Sequence, residues 1–191
     1  MSTPLAYFLT WTCYGQRLHG DERGSVDREH NVPGTPFLQP DSTRERGDRS
    51  RMRSEAVSLT VEMRHAADQG IRELAKERGW WLIARNVRQT HVHVIVHCPG
   101  AISPERVMAQ IKARITRDCR QAGLAADDAR LWTDHGSTRW INHTAGLFGA
   151  IAYVNDWQDG PNREIREARK ELIRKRIAEL KEWMNLRADS P

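Results

Sequence analysis

Two histidines stand two positions apart among valines in the segment 90–97, Thr-His-Val-His-Val-Ile-Val-His. Side chains alternate between the two faces of a β-strand, so His91 and His93 are expected on one face and the valines on the other, in the core. Two imidazoles on one face can bind a single metal ion. The simpler alternative is a pair of histidines that only form hydrogen bonds, but placing two such rings in a buried strand without a function is costly.

The residues around the pair favour some metal chemistries over others. A histidine-triad hydrolase needs a third histidine at the next alternate position, which is Ile95. A zinc site would need three or four convergent nitrogen or sulfur ligands, and Cys98 falls on the opposite face from the pair. Two histidines with one oxygen ligand better suit Mg²⁺ or Mn²⁺ acting on a phosphate.

A metal-assisted phosphate reaction also needs a nucleophile, and the chain has three tyrosines. Tyr7 lies within a predicted strand and Tyr14 ends it. Tyr153 lies in a predicted helix, where Gly146 and Gly149 share its face and leave open space beside the ring. A helical tyrosine is commonly a core residue, but small neighbours and the polar residues that follow make Tyr153 the candidate nucleophile.

The elements that position these residues follow from hydrophobic periodicity and capping signals. We predict strands over 5–14, 80–87 and 91–97, a hairpin over 131–141, and helices over 57–77, 103–123, 142–157 and 162–187. The core order is β-α-β-β-α-β, which is the ferredoxin-like α+β arrangement, an antiparallel sheet with two helices on one face. The other face is then available for a site.

The predicted domain covers residues 1–160, with a long loop insertion at about 20–55 and a helical extension over 161–191. The insertion has no apolar period and carries an arginine-rich stretch. Arg44, Arg46 and Arg49 are candidate phosphate contacts, and a solvated tether is the alternative. Arg139 and Trp140, with Trp132 across the predicted hairpin, are candidates for stacking on bases, and cross-strand packing of the two tryptophans is the alternative.

The composition is compatible with contact to nucleic acid. The net charge is +5, and only five of the 30 basic residues are lysines. Arginine offers a planar donor group suited to phosphates, although a GC-rich genome would also raise its share. Three scattered cysteines do not indicate a disulfide framework, and no apolar run is long enough for a membrane span. We therefore expect a cytoplasmic, nucleoid-associated protein without a membrane partner.

Several segments together resemble the HUH single-tyrosine transposases, and in particular the REP-associated tyrosine transposases. They are YFLTWTCYG at 7–15, GDERGSVD at 20–27, HVHV at 91–94, GSTRW at 136–140 and AYVNDWQ at 152–158. The resemblance extends over about residues 5–160. It rests on the combination of motifs, since a histidine pair alone is not specific.

The resemblance implies that His91, His93 and a glutamine on the tyrosine helix bind Mg²⁺ or Mn²⁺. Gln158 is the corresponding residue here, five positions after the tyrosine rather than the usual four, and Asp156 is the substitute ligand. The resemblance further implies that Tyr153 forms a 5′-phosphotyrosine link with single-stranded or hairpin DNA, in a monomer or homodimer. The alternative is a domesticated hairpin-binding protein with little or no cleavage activity.

Overall fold

The computed structural model describes residues 4–22, 39–155, 174–175 and 177–182. Four strands form one antiparallel sheet in the order β2-β3-β1-β4. The strands are β1 (Ala6–Thr12), β2 (Trp81–Val87), β3 (His91–His97) and β4 (Ser137–Ile141). The helices are α1 (Ser42–Ser50), α2 (Val61–Glu77), α3 (Pro104–Gln121) and α4 (Thr144–Asn155). With α2 between β1 and β2 and α3 between β3 and β4, the ferredoxin-like prediction is confirmed.

Helices α2 and α3 pack on one face of the sheet, and their first residues are set by local capping. The hydroxyl of Ser103 accepts a hydrogen bond from the backbone N–H of Arg106, and Pro104 occupies the first turn of α3. Helix α2 begins at Val61, four residues later than predicted. The preceding residues stay extended because the N–H of Val57 donates to the carbonyl of Tyr14 and that of Leu59 donates to Gln89.

The opposite face of the sheet carries a second, smaller apolar cluster. Helix α4 contributes Leu147, Ile151 and Val154 to it, and all three are buried against the sheet. Residues 177–182 are helical, and Ile177 and Leu180 are buried in the same cluster. The predicted C-terminal helix is confirmed for those residues, and most of the rest of it lies outside the described residues.

Part of the predicted loop insertion is in fact helix α1. The carboxylate of Asp41 accepts hydrogen bonds from the first N–H groups, and Glu45 pairs with Arg49 one turn later at 2.7 Å. Asp48 links the helix to His19 at 2.7 Å. Because α1 buries none of its residues, it has no apolar stripe that periodicity could detect. Residues 23–38 of the insertion are outside the described residues.

The predicted hairpin over 131–141 is wrong. Trp132 pairs with Cys13 and Ser137 pairs with Thr10, so both segments follow the same edge of β1 instead of pairing with each other. The bend between them is held by the ammonium of Lys112, which donates to the carbonyl oxygens of residues 133 and 135 at 2.8 and 3.1 Å. Because Lys112 lies in α3, about 20 residues earlier in the chain, local sequence patterns could not predict this contact.

Candidate metal and nucleophile site

His91 and His93 lie on the sheet face opposite α2 and α3, as strand alternation predicts. Their ring centroids are 4.8 Å apart and the rings are nearly perpendicular, at 78°. The valines between and beyond them, Val92, Val94 and Val96, are buried in the core on the other face. Two imidazoles are therefore adjacent on one surface, where they can share an ion.

A threonine hydroxyl holds the Nδ1 atom of each ring. Thr10, opposite His93 on β1, has its Oγ1 2.8 Å from Nδ1 of His93. Thr90 has its Oγ1 3.1 Å from Nδ1 of His91. A hydrogen bond at Nδ1 fixes the orientation of a metal-binding imidazole and leaves coordination to Nε2. The two threonines thus hold both rings at the same type of atom.

Electrostatics keep His93 neutral near physiological pH. Its side chain is buried, and this burial, with the positive charges of His91, Arg88 and Arg17, lowers its pKa from 6.5 to about 4. A neutral imidazole has a lone pair to give to a metal ion, whereas a protonated one does not. The donor set therefore fits a divalent cation.

The third metal ligand predicted from the sequence cannot be placed with the pair, since Gln158 and Asp156 lie outside the described residues. Within the described parts of the chain, no cluster of three or more His, Cys, Asp or Glu side chains is suited to holding a metal. An ion bound by the two histidines would still have coordination positions for oxygen ligands.

Tyr153 is the tyrosine that lies beside the histidine pair. Its ring centroid is 5.4 Å from that of His93 and 6.0 Å from that of Phe8, and the side chain is 40% exposed. A Cβ atom built on Gly149, on the same side of α4, meets nothing within 4 Å. The ring is thus packed at its base and open to a large ligand, as predicted from Gly149, whereas a Cβ on Gly146 would contact Ile141 at 3.8 Å.

The other two tyrosines have structural contacts elsewhere. Tyr7 is buried and donates its hydroxyl to the carbonyl of Ile102 at 2.8 Å. The hydroxyl of Tyr14 accepts a hydrogen bond from the backbone N–H of Arg53 at 3.0 Å. Neither contact involves the histidine pair.

Asn86 is a site residue that the sequence analysis missed. It pairs with His93 in the β2–β3 register, so the two side chains share a sheet face. Its side-chain N–H donates to the carbonyl of Val154 at 2.9 Å. This bond fastens the turn of α4 that contains Tyr153 to the strand beside His93. The only sequence signal is a polar residue near the end of a strand, which is common in proteins.

Two arginines place positive charge near the pair. Arg88 follows Asn86 by two residues, and its N–H donates to the carbonyl of His91 at 2.8 Å in the turn between β2 and β3. Arg17 lies in the loop after β1 with a positive φ of 52°, the only such non-glycine residue among those described. The positive charges of both add to the effect of burial in lowering the pKa of His93. The sequence identified neither arginine, because Arg88 lies in the turn after β2 and Arg17 in the loop after β1, where side-chain alternation does not apply.

The residues predicted to contact DNA lie in three different places. Arg139 pairs with Phe8 and so lies on the histidine face of the sheet, whereas Trp140 pairs with Tyr7 on the other face and is 55% exposed. Trp132 is buried and its indole N–H bonds to α3, so it is not available to stack on bases, and the alternative in which it packs against Trp140 across a hairpin is wrong as well.

The remaining three candidates, Arg44, Arg46 and Arg49, are exposed on α1. Two of these arginines have partners within that helix: Arg46 donates to the carbonyl of Ser42, and Arg49 pairs with Glu45. They form a basic surface on an ordered helix rather than on a flexible tether. None of the helices in the described parts of the chain has the length and apolar character of a membrane-spanning segment.

Comparison with known families gives a match to the family described as IS200-like transposase, over residues 51–142. The matched segment contains both histidines and ends before Tyr153. This match confirms the resemblance to single-tyrosine transposases and supports a transposase-type function on DNA. A comparison with curated proteins gives no match.

The similar solved structures include two at low sequence identity. One is described as a REP-associated tyrosine transposase bound to a REP hairpin, at 13% identity and a TM-score of 0.46. The alignment covers 81% of this chain and 66% of that protein, so this chain spans just under two thirds of its length. The other is a protein of Deinococcus radiodurans R1 provisionally assigned as a transposase, at 12% identity, a TM-score of 0.45, and 92% and 93% coverage.

Proposed function

We propose that this relative of the IS200-like transposases nicks and rejoins single-stranded DNA near hairpins through a 5′-phosphotyrosine intermediate. The observation that carries the proposal is the contact between the Tyr153 ring and His93, the buried member of a histidine pair whose rings are adjacent on one sheet face. The basic composition and the family match over residues 51–142 are consistent with a DNA substrate.

In the proposed reaction the phenol oxygen of Tyr153 attacks a DNA phosphorus in line with the bond to the 3′ oxygen. A P–O bond to Tyr153 forms, the P–O3′ bond breaks, the phenol loses its proton and the 3′ oxygen gains one. The phosphodiester bond energy is kept in the tyrosine ester, so a 3′-OH of DNA can reverse the step without a nucleotide cofactor. A free phenol has a pKa of ~10 and is a weak nucleophile at neutral pH, so the site must assist the attack.

His91 and His93 would hold Mg²⁺ or Mn²⁺ with Gln158, or Asp156 as the substitute ligand. The ion would offset negative charge on the scissile phosphate in the transition state. Thr10 and Thr90 contact the Nδ1 atoms and fix the orientation of the two imidazole rings, and burial keeps His93 neutral. Preorganised ligands of this kind do not have to be ordered during the reaction.

The other residues around the site would bind the DNA or orient Tyr153. Asn86 holds the helix turn of Tyr153 against β2, which limits the positions that the phenol can reach. Arg88 and Arg17 add positive potential next to the pair, where a DNA phosphate would enter. Arg139 on the same sheet face, Trp140 on the other, and Arg44, Arg46 and Arg49 on α1 would contact DNA farther from the reaction.

The proposal is tested by incubating the protein with hairpin-bearing single-stranded DNA, labelled 3′ of the expected cut, and Mn²⁺. We expect a labelled protein–DNA adduct that survives denaturation, disappears with a chelator and is absent in Tyr153→Phe. If the protein binds the hairpin tightly and forms no adduct with any hairpin substrate in Mg²⁺ or Mn²⁺, the hairpin-binding alternative replaces the enzyme.

A further inference from the structure

We infer that a cavity on the helical side of the sheet is a second binding site, which takes one nucleotide unit of single-stranded DNA. The cavity has a volume of about 390 Å³, within the ~300–1,000 Å³ range of small-ligand pockets. The residues that line it include Arg78, Trp80, Ile102, Arg106 and Gln110. None of these residues belongs to the histidine and tyrosine site.

The cavity lies at the end of the sheet away from that site. Trp80 precedes β2, and Ile102 follows β3 in a loop that the Tyr7 hydroxyl fixes through the Ile102 carbonyl. Both side chains pack against the core under α2 and α3. Six residues of extended chain separate His93 from the loop, which is roughly 20 Å at ~3.3 Å per residue.

The lining favours an anion. It contains two guanidinium groups, of Arg78 and Arg106, and no acidic side chain. Arg106 lies in the first turn of α3, where the helix dipole adds partial positive charge. Guanidinium groups bind phosphate oxygens in a bidentate manner. A phosphodiester group therefore fits this end of the cavity.

The lining also offers two contacts to a base. Trp80 provides an aromatic surface, and stacking of bases on tryptophan is tolerant of sequence. The side-chain oxygen of Gln110 is buried and accepts no hydrogen bond from any described residue. A buried acceptor without a donor is unfavourable, and a turn of the Gln110 amide into the cavity would present its oxygen to the ring or amino N–H groups of a base. A base next to a phosphate would satisfy both features together.

The assignment of DNA as the source of this nucleotide rests on the proposed function, but its test needs no catalysis. We would measure binding of a labelled single-stranded dodecamer without a hairpin, in chelator, by fluorescence anisotropy over a salt series. Arg106→Glu is compared with Arg117→Glu, which makes the same charge change at an exposed residue of α3 outside the cavity. We expect roughly a tenfold or greater loss of affinity for Arg106→Glu, with a log–log salt slope smaller by ~0.7, and a much smaller loss for Arg117→Glu.

Gln110→Leu removes the acceptor without changing charge. It should weaken binding several-fold at an unchanged salt slope, and an abasic dodecamer should bind wild type and Gln110→Leu equally. Displacement of the bound dodecamer by deoxyadenosine monophosphate at concentrations lower than unlabelled dodecamer needs for the same displacement would point to free nucleotides instead. Equal losses of affinity for the two charge variants, or no effect of Gln110→Leu, would overturn the inference. If Arg106→Glu does not fold, Arg106→Gln and Arg117→Gln provide the same comparison. These results do not depend on adduct formation, so the inference and the proposed function can fail separately.

Discussion

The rings of Tyr153 and His93 meet edge to face, with centroids 5.4 Å apart and planes at 82°. This contact joins α4 to β3 on the sheet face that α2 and α3 leave uncovered. It places the phenol next to the buried imidazole of the pair while leaving 40% of the tyrosine exposed. The arrangement combines a fixed ring with access for a substrate as large as DNA.

Replacing Tyr153 with phenylalanine should eliminate the covalent adduct and leave hairpin affinity and thermal stability nearly unchanged. The ring keeps its contacts with Phe8 and His93, and only the hydroxyl is removed. The controls are Tyr7→Phe and Tyr14→Phe, which should retain adduct formation. An adduct in Tyr153→Phe, mapped by mass spectrometry to another residue, would show that the nucleophile is misassigned.

Replacing His91 with alanine should weaken Mn²⁺ binding by a factor of ten or more, measured by calorimetry, and abolish cleavage. Hairpin affinity measured in chelator should remain, because the phosphate and base contacts lie elsewhere. His65→Ala, at an exposed position on α2, is the matched control and should bind Mn²⁺ like the wild type. Undiminished Mn²⁺ affinity in His91→Ala would remove the pair as the metal site.

Acid should destabilise the metal-free protein through His93. The pKa of this imidazole is about 4 in the folded state and 6.5 in the reference state, chiefly because of burial. As the pH falls through this interval, the unfolded chain takes up a proton that the folded chain does not, so the free energy of unfolding decreases. The decrease from this group is roughly 3 kcal/mol and is complete below the folded pKa.

Urea unfolding in chelator at about pH 7 and about pH 4.5 measures this effect. His93→Gln keeps a polar partner for Thr10 and does not titrate, so its stability should decline less between the two values. If the wild type and the variant lose the same stability, His93 is not the group responsible.

Replacing Asn86 with alanine should slow adduct formation at saturating DNA, with little change in hairpin affinity. The variant lacks the hydrogen bond to the Val154 carbonyl, and the turn bearing Tyr153 is then less well positioned. Hydrogen exchange of residues 150–155 should become faster in Asn86→Ala but not in Asn142→Ala, a control at an exposed position before α4. If neither the hydrogen exchange of residues 150–155 nor the rate of adduct formation changes in Asn86→Ala, then Asn86 does not position Tyr153.

Replacing both Arg44 and Arg46 with glutamine should weaken hairpin binding and reduce its salt dependence. The log–log slope should fall by ~0.7–0.9 for each phosphate that the variant no longer neutralises. Both side chains are exposed on α1, and substitution preserves the helix, which deletion of the segment would not. Arg72→Gln, an exposed arginine on α2, serves as the control. Identical affinity and slope in the double variant would indicate that α1 does not bind DNA.

The sequence alone determined the features that depend on neighbouring residues. Strand alternation put His91 and His93 on one face and the valines in the core, because successive side chains in a strand must point in opposite directions. Ser103 and Pro104 defined the start of α3, because capping is a contact within one turn. Gly149 beside Tyr153 indicated an open ring surface for the same local reason.

The tertiary structure decided which elements meet. The bonds from Thr10 to His93 and from Asn86 to Val154 cross between strands and helices that are far apart in sequence. Trp132 follows β1 rather than forming a hairpin, because the partner of an edge segment is chosen by the whole sheet and by Lys112 of α3. The packing of the complete chain selects which strands pair. Local sequence patterns therefore predict the side of the sheet on which a residue lies, but not which residue lies opposite it.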